Sequence, residues 1–147
     1  MKFVIANDHA AVELKTEITQ WLTEHGHEVT DLGVAAGEKA DYPDKGVECA
    51  KAFLSGQYNF GIVCCGTGIG ISIAANKVKG IRCALPQNIF AATMAREHNN
   101  CQMLAFGSRI NYPEPPIEML KAFLEARHDT ESRHARRVDK IMQAENV

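Results

Sequence analysis

Short apolar runs alternate along this chain with stretches in which apolar residues recur every three or four positions. The runs are Lys2 to Ala6, Glu28 to Leu32, Phe60 to Cys65, Ile81 to Leu85 and Met103 to Phe106. The intervening stretches, Ala10 to His25, Lys45 to Leu54, Gly68 to Lys77, Asn88 to His98 and Glu114 to Arg127, carry helical period. In the first of them Leu14, Ile18, Trp21 and Leu22 share one face; in the last, Ile117, Leu120 and Leu124 do. The runs themselves are apolar on both faces, as in Phe3-Val4-Ile5-Ala6 and Gly61-Ile62-Val63-Cys64. Strands buried on both sides imply a parallel sheet covered by helices. The pattern therefore predicts an α/β fold over residues 1–147: a single-domain, doubly wound, Rossmann-like five-stranded parallel sheet with helices on both faces. Turn residues support the boundaries, with Gly26 ending the first helix, Gly33 and Gly37 bracketing a polar loop, Gly56 and Gly80 preceding strands, and Pro113 near a helix start.

Length and composition narrow the class. The chain has 147 residues, 46% hydrophobic and 23% charged, enough for one well-buried core and ordinary for a globular protein. No apolar run approaches the roughly 20 residues a bilayer span requires, so no membrane partner is expected and the expected location is cytoplasmic. Five cysteines, including the adjacent Cys64 and Cys65, make a poor disulfide framework, and no Cys-x-x-Cys pair nominates a zinc site. All five read as thiols. A net charge of −2 gives no general attraction to nucleic acid. The exception is local: between Arg127 and Lys140 five basic residues face three acids, with His128 and His134 in addition, so the expected partner is a small anion. The segment 132–144 is polar over much of its surface and is expected to pack at an edge or against a second subunit.

Ligands of open α/β sheets bind beyond the carboxyl ends of the strands. After the first strand come Asp8 and His9, after the third Cys65-Gly66-Thr67-Gly68-Ile69-Gly70, and after the fifth Ser108 and Arg109. The third strand ends on Cys65 and turns through glycines into a helix, which sets a thiol beside the positive, amide-lined end of that helix, an environment that favours the thiolate as a base. The glycine spacing is G-x-G-x-G, without the acid some 20 residues on that a dinucleotide fold uses, and no Gly-Lys-Ser/Thr follows to form a phosphate loop of the nucleotide-hydrolase type. What remains is a compact amide nest for one anion.

Each candidate also has a plain structural reading. Cys65 is either a base or a small buried hydrophobe, as Cys64 is expected to be. Thr67 caps the helix or passes a proton, and Asp8 caps the first helix, binds a hydroxyl or orients His9. His9 and His98 are assigned to the ligand-binding edge, for acid–base work or anion contact, whereas His25 and His27 read as solvent-facing turn residues. Arg133 and Arg137 are four apart on one helical face, either a solvated face or a phosphate clamp, and Arg109 at a strand end is the stronger anion candidate.

Seven stretches together resemble the ribose-5-phosphate isomerase B type of sugar-phosphate isomerases, a family that also contains galactose-6-phosphate isomerase subunits. They are Asn7-Asp8-His9-Ala10, Asp41-Tyr42-Pro43, the run from Cys65 to Lys77, Gly80-Ile81-Arg82, His98-Asn99, Leu104 to Arg109, and Arg133-His134-x-x-Arg137-Val138. The resemblance implies interconversion of an aldose phosphate and a ketose phosphate without metal or cofactor, with Cys65 moving a proton between C1 and C2 and Thr67 assisting. It further implies enediolate oxygens held by the amides of Gly66, Thr67, Gly68, Ile69 and Gly70, ring opening by His98, hydroxyl contacts from Asp8 and Asn99, and phosphate held by His9, Arg133 and Arg137 with Arg109 in the pocket. Family members are dimers or tetramers whose sites combine two chains, so a homodimer or homotetramer is implied. Ribose 5-phosphate is the implied substrate; allose 6-phosphate or galactose 6-phosphate are alternatives, and a non-catalytic sugar-phosphate sensor is a rival of another class. Three positions depart from the family pattern: Ala11 stands for a usual glycine, Asn100 for a usual aspartate, and Arg136 is an added base. Retention of Cys65 favours an active homomeric enzyme, since some galactose-6-phosphate subunits lack it.

Overall fold

The structure is a computed structural model that describes residues 1–147. Five strands, β1 (Lys2–Asn7), β2 (Glu28–Asp31), β3 (Phe60–Cys65), β4 (Cys83–Ala84) and β5 (Met103–Gly107), form one sheet in the order β2-β1-β3-β5-β4. Every pairing is parallel. Between and after them run α1 (Val12–Glu24), α2 (Tyr42–Ala52), α3 (Ile69–Asn76), α4 (Ile89–Glu97), α5 (Pro116–Glu125) and α6 (Arg133–Gln143). The doubly wound parallel sheet anticipated from the two-sided apolar runs is thus present. No helix is long and apolar enough to cross a membrane.

Strand alternation divides the interior into two cores. Phe3, Ile5, Ile62, Cys64, Leu104 and Phe106 point to one face, where they meet Ile18 and Leu22 of α1, Ala92 of α4 and Met119, Leu120 and Phe123 of α5. Val4, Ala6, Val63, Cys65, Met103 and Ala105 point to the other and meet Cys49 of α2 and Ile71 and Ala75 of α3. Adjacent cysteines Cys64 and Cys65 therefore face opposite layers and cannot bridge to each other. Helices α2 and α3 approach closely because Gly46 leaves room: a Cβ there would lie 2.8 Å from the Ile71 carbonyl oxygen.

Two boundaries differ from the sequence pattern. Helix α2 begins at Tyr42 rather than Lys45, because Asp41 holds the extended N-cap conformation and Pro43, with its φ preset, sits in the first turn. Strand β4 shrinks to Cys83–Ala84, an edge strand paired only to β5. His25 and His27 are not simply solvent-facing: His25 stacks on Trp21 with centroids 4.2 Å apart, and His27 packs edge-on against Phe3.

Candidate active site

Three loops meet at the carboxyl edge of the sheet. Asp8 follows β1, is buried, and accepts the Ala10 N–H at 3.0 Å, which caps the short turn leading into α1. Its backbone is pinned from beneath by Asn7, fully buried, whose Nδ2 donates to the Asp8 and Val34 carbonyls while its Oδ1 accepts the Val34 N–H. Gly33 has no side chain because a Cβ there would fall 1.7 Å from Asn7 Oδ1. The clamped loop continues to Ala40, whose carbonyl lies 3.2 Å from His9 Nδ1; with Nδ1–H donating to it, His9 Nε2 is left facing outward.

Beyond β3, Cys65 is 4% exposed and its Sγ accepts the Gly68 N–H at 3.1 Å. Thr67 Oγ1 accepts the Ile69 N–H at 3.2 Å, a turn contact one residue before Gly68, which is the N-cap of α3 and has no side chain to cap it. Of the five amides from Gly66 to Gly70, two are thus already engaged. The N–H groups of Gly66, Thr67 and Gly70 have no partner within the chain and remain available as donors. Gly68 sits at φ 76°, and a Cβ there would press within 2.9 Å of the Phe106 carbonyl carbon. The loop after β5 closes the arrangement: Ser108 and Arg109 donate their N–H groups to the Cys65 and Gly66 carbonyls at 2.9 Å, and Ser108 Oγ donates to the Ala10 carbonyl at 2.7 Å. The Arg109 guanidinium lies alongside Gly66.

The other cysteines behave differently. Burial pushes the Cys49 thiol up to about 12 and Cys101 up to about 11, the latter restrained by Arg82 and Arg96, and it raises Cys64 and Cys83 strongly as well. These four stay protonated and structural, while Cys65 alone takes a backbone donor on sulfur. No group of three His, Cys, Asp or Glu side chains is placed to hold a metal ion.

His98, Asn99, Arg133 and Arg137 are not here. Because α4 starts at the carboxyl edge and runs back, its C-cap His98 lies at the amino edge of the sheet. The assignment of His98 to the same edge as His9 is therefore corrected within one chain: the length of β5, ~13 Å of strand, separates His98 from the level of Cys65, which pairs with Gly107. At that far edge Arg82 donates from Nε to the Asn99 carbonyl and from Nη2 to the Asn100 carbonyl, and Asn100, at φ 46°, holds Arg96 through its Oδ1. Helix α6, capped by Ser132, lies against the same edge, with Met142 accepting from Arg82 Nη1, Glu145 accepting the Gly80 N–H, and His134 stacked on His98. Arg133, Arg136 and Arg137 are exposed on it.

Sequence reasoning gave no site role to two contributors, Tyr42, quoted only as part of a matching stretch, and Lys15. Tyr42, at the start of α2, lies so close to Gly70 that a Cβ on Gly70 would be 2.3 Å from its ring. Lys15, buried on α1, pairs with Asp31 at 2.8 Å and donates to the Val34 carbonyl at 2.9 Å, underpinning the loop that reaches His9. A lysine on the otherwise apolar side of α1 was the one available signal. Around the nest lie uncovered apolar side chains, Ile69 (53% exposed), Ile73 (55%) and Tyr42. A cleft of about 1030 Å³ at this edge runs past His9 and Arg109 toward Glu13, Glu17 and Lys39 and is not lined by Cys65.

The chain is similar to known proteins over most of its length. A family model described as ribose/galactose isomerase matches residues 3–141. Ribose-5-phosphate isomerase B of Escherichia coli is 41% identical over 140 residues, 95% of this chain and 93% of that protein. D-erythrulose-4-phosphate isomerase of Pectobacterium atrosepticum is 42% identical over 127 residues, 86% of this chain and 84% of that one. The solved structure of ribose-5-phosphate isomerase B from Clostridium thermocellum superposes with a TM-score of 0.93 at 45% identity, covering 99% of this chain and 98% of the other.

Proposed function

The chain belongs to the ribose/galactose isomerase family and is a sugar-phosphate isomerase; from that premise we propose that it interconverts ribose 5-phosphate and ribulose 5-phosphate, with Cys65 as the base. The observation that carries this reading is the Cys65 sulfur under the Gly68 N–H, with the free amides of Gly66, Thr67 and Gly70 around it. In the open-chain aldose the thiolate removes the C2 proton, the C1=O electrons move to O1, and an enediolate forms. The free N–H groups stabilise its oxygens, an effect of about 10²- to 10³-fold per well-placed donor. Thr67 carries the proton between O1 and O2, and the Cys65 thiol returns its proton to C1, which leaves the ketose.

Asp8 holds a sugar hydroxyl, while His9 Nε2 and Arg109 take the phosphate on the same edge. Ring opening by His98, a hydroxyl contact from Asn99 and the phosphate clamp of Arg133 and Arg137 come from a second copy. The separation of these four residues from Cys65 supports that assembly, as do the uncovered Ile69 and Ile73 beside the nest. A homodimer is the smallest closed arrangement that completes both sites. The reaction needs no cofactor, and cytoplasmic metabolism is the expected setting.

A second reading, a four-carbon substrate, is favoured by the relative named for D-erythrulose 4-phosphate; six-carbon aldose phosphates stand as the third. Relative kcat/KM on four-, five- and six-carbon aldose phosphates decides among them, and a preference for ribose 5-phosphate is expected. Cys65→Ala is expected to lower kcat by about 10²- to 10⁴-fold with the fold intact. Near-normal turnover would remove Cys65 as the base.

A further inference from the structure

The His98 imidazole does not stand alone at its edge. His134, in the first turn of α6, lies flat on it, with ring centroids 3.8 Å apart and planes 9° from parallel. We propose that His134 is a positioning residue for ring opening, its ring fixing the plane of His98 so that one nitrogen meets the furanose oxygen of a neighbouring copy's substrate. This rests on the role assigned to His98 above.

Three observations support it. His98 makes no side-chain hydrogen bond of its own, so packing alone sets its orientation. Its backbone is already fixed, because its N–H donates to the Met94 carbonyl at 2.8 Å and the neighbouring Asn99 and Asn100 carbonyls are tied to Arg82. The charges that act on His134 come from His98, Arg133, Arg137 and His128, all basic. Desolvation first, and then those positive charges, hold His134 below its ordinary value of 6.5. His128 is itself anchored, with Nδ1 2.7 Å from the Glu97 carbonyl.

The test separates the stack from a general structural effect by using two substrates. Ribose 5-phosphate must be opened from a furanose, whereas a four-carbon aldose 4-phosphate has no free hydroxyl with which to close a five-membered ring. His134→Ala is expected to lower kcat/KM on ribose 5-phosphate about tenfold or more and to leave the four-carbon sugar nearly unaffected. His134→Phe, which keeps a flat ring, is expected to retain most activity on both. Equal losses on the two sugars, no loss on either, or a Phe variant as impaired as the Ala variant would overturn the proposal. Should the wild-type protein turn over neither sugar, the functional reading fails while this one is still decided by NMR. A ring-current shift on His98 that disappears in His134→Ala and persists in His134→Phe supports the positioning role, and a His98 resonance indifferent to His134→Ala refutes it.

Discussion

Gly68 and Gly70, both within five residues of Cys65, lack a side chain for different physical reasons. At Gly68 the backbone is left-handed (φ 76°) and a Cβ would meet the backbone of Phe106 and Gly107, which cannot move without opening β5. At Gly70 the obstacle is the ring of Tyr42, half-exposed and free to swing outward. Gly68→Ala is accordingly expected to lose about 2–4 kcal/mol of stability, read as a fall in the urea midpoint. For Gly70→Ala the expected change is within about 1 kcal/mol, with kcat/KM impaired because Tyr42 leaves the rim of the nest. The local backbone was legible at this scale, since the sequence predicts a strand ending on Cys65, a glycine turn and then a helix, which is what β3 and α3 form. Which amides were already engaged was not legible, since that depends on the rotamers of Cys65 and Thr67.

Between α1 and the loop after β2, the buried Lys15 joins two elements through Asp31 and the Val34 carbonyl. Lys15→Met removes the cation and leaves a carboxylate that is still 42% exposed. The expected cost is about 1–3 kcal/mol, less than for a fully buried pair because water still reaches Asp31. Since that loop also carries the Ala40 carbonyl that orients His9, KM for the sugar phosphate is expected to rise more than kcat falls, a split steady-state kinetics will show. Element existence and type followed from hydropathy because β1, β3 and β5 are apolar on both faces. The position of His98 was recoverable by the same logic: a helix that follows a strand runs back along the sheet, so its last residue must lie at the opposite edge. Lys15 escaped because one cation on a helix reads as a solvated side chain until a partner is seen.

At the scale of the whole molecule, Cys65 and His98 stand at opposite edges of one chain. If each site draws on two copies, mixing Cys65→Ala with His98→Asn protein through unfolding and refolding restores activity. About a quarter of wild-type turnover is expected, since half of randomly formed dimers are mixed and each contains one complete site. No recovery would mean that the site closes within one chain. The buried thiols make a second prediction. Cys49 and Cys101 are raised to about 12 and about 11 from an ordinary 9.0, so above pH 9 the unfolded chain loses these protons first and stability falls as pH rises. Each thiol contributes up to about 1.4 kcal/mol per pH unit in that window. The urea midpoint is therefore expected to drop between pH 8.5 and 10.5, and to drop less in Cys49→Ala, Cys101→Ala protein. Strand order was the part hydropathy left open, because a buried strand pairs equally well with any buried neighbour, and nothing in Met103–Gly107 marks it for the slot between β3 and β4. That late insertion also bears on synthesis. Until about 107 residues have left the ribosome, β3 presents an unpaired edge to other nascent chains, and β4, whose one partner is β5, has no sheet to join. Emerging chains held just short of Met103 are thus expected to associate through that open β3 edge more than chains in which β5 has covered it.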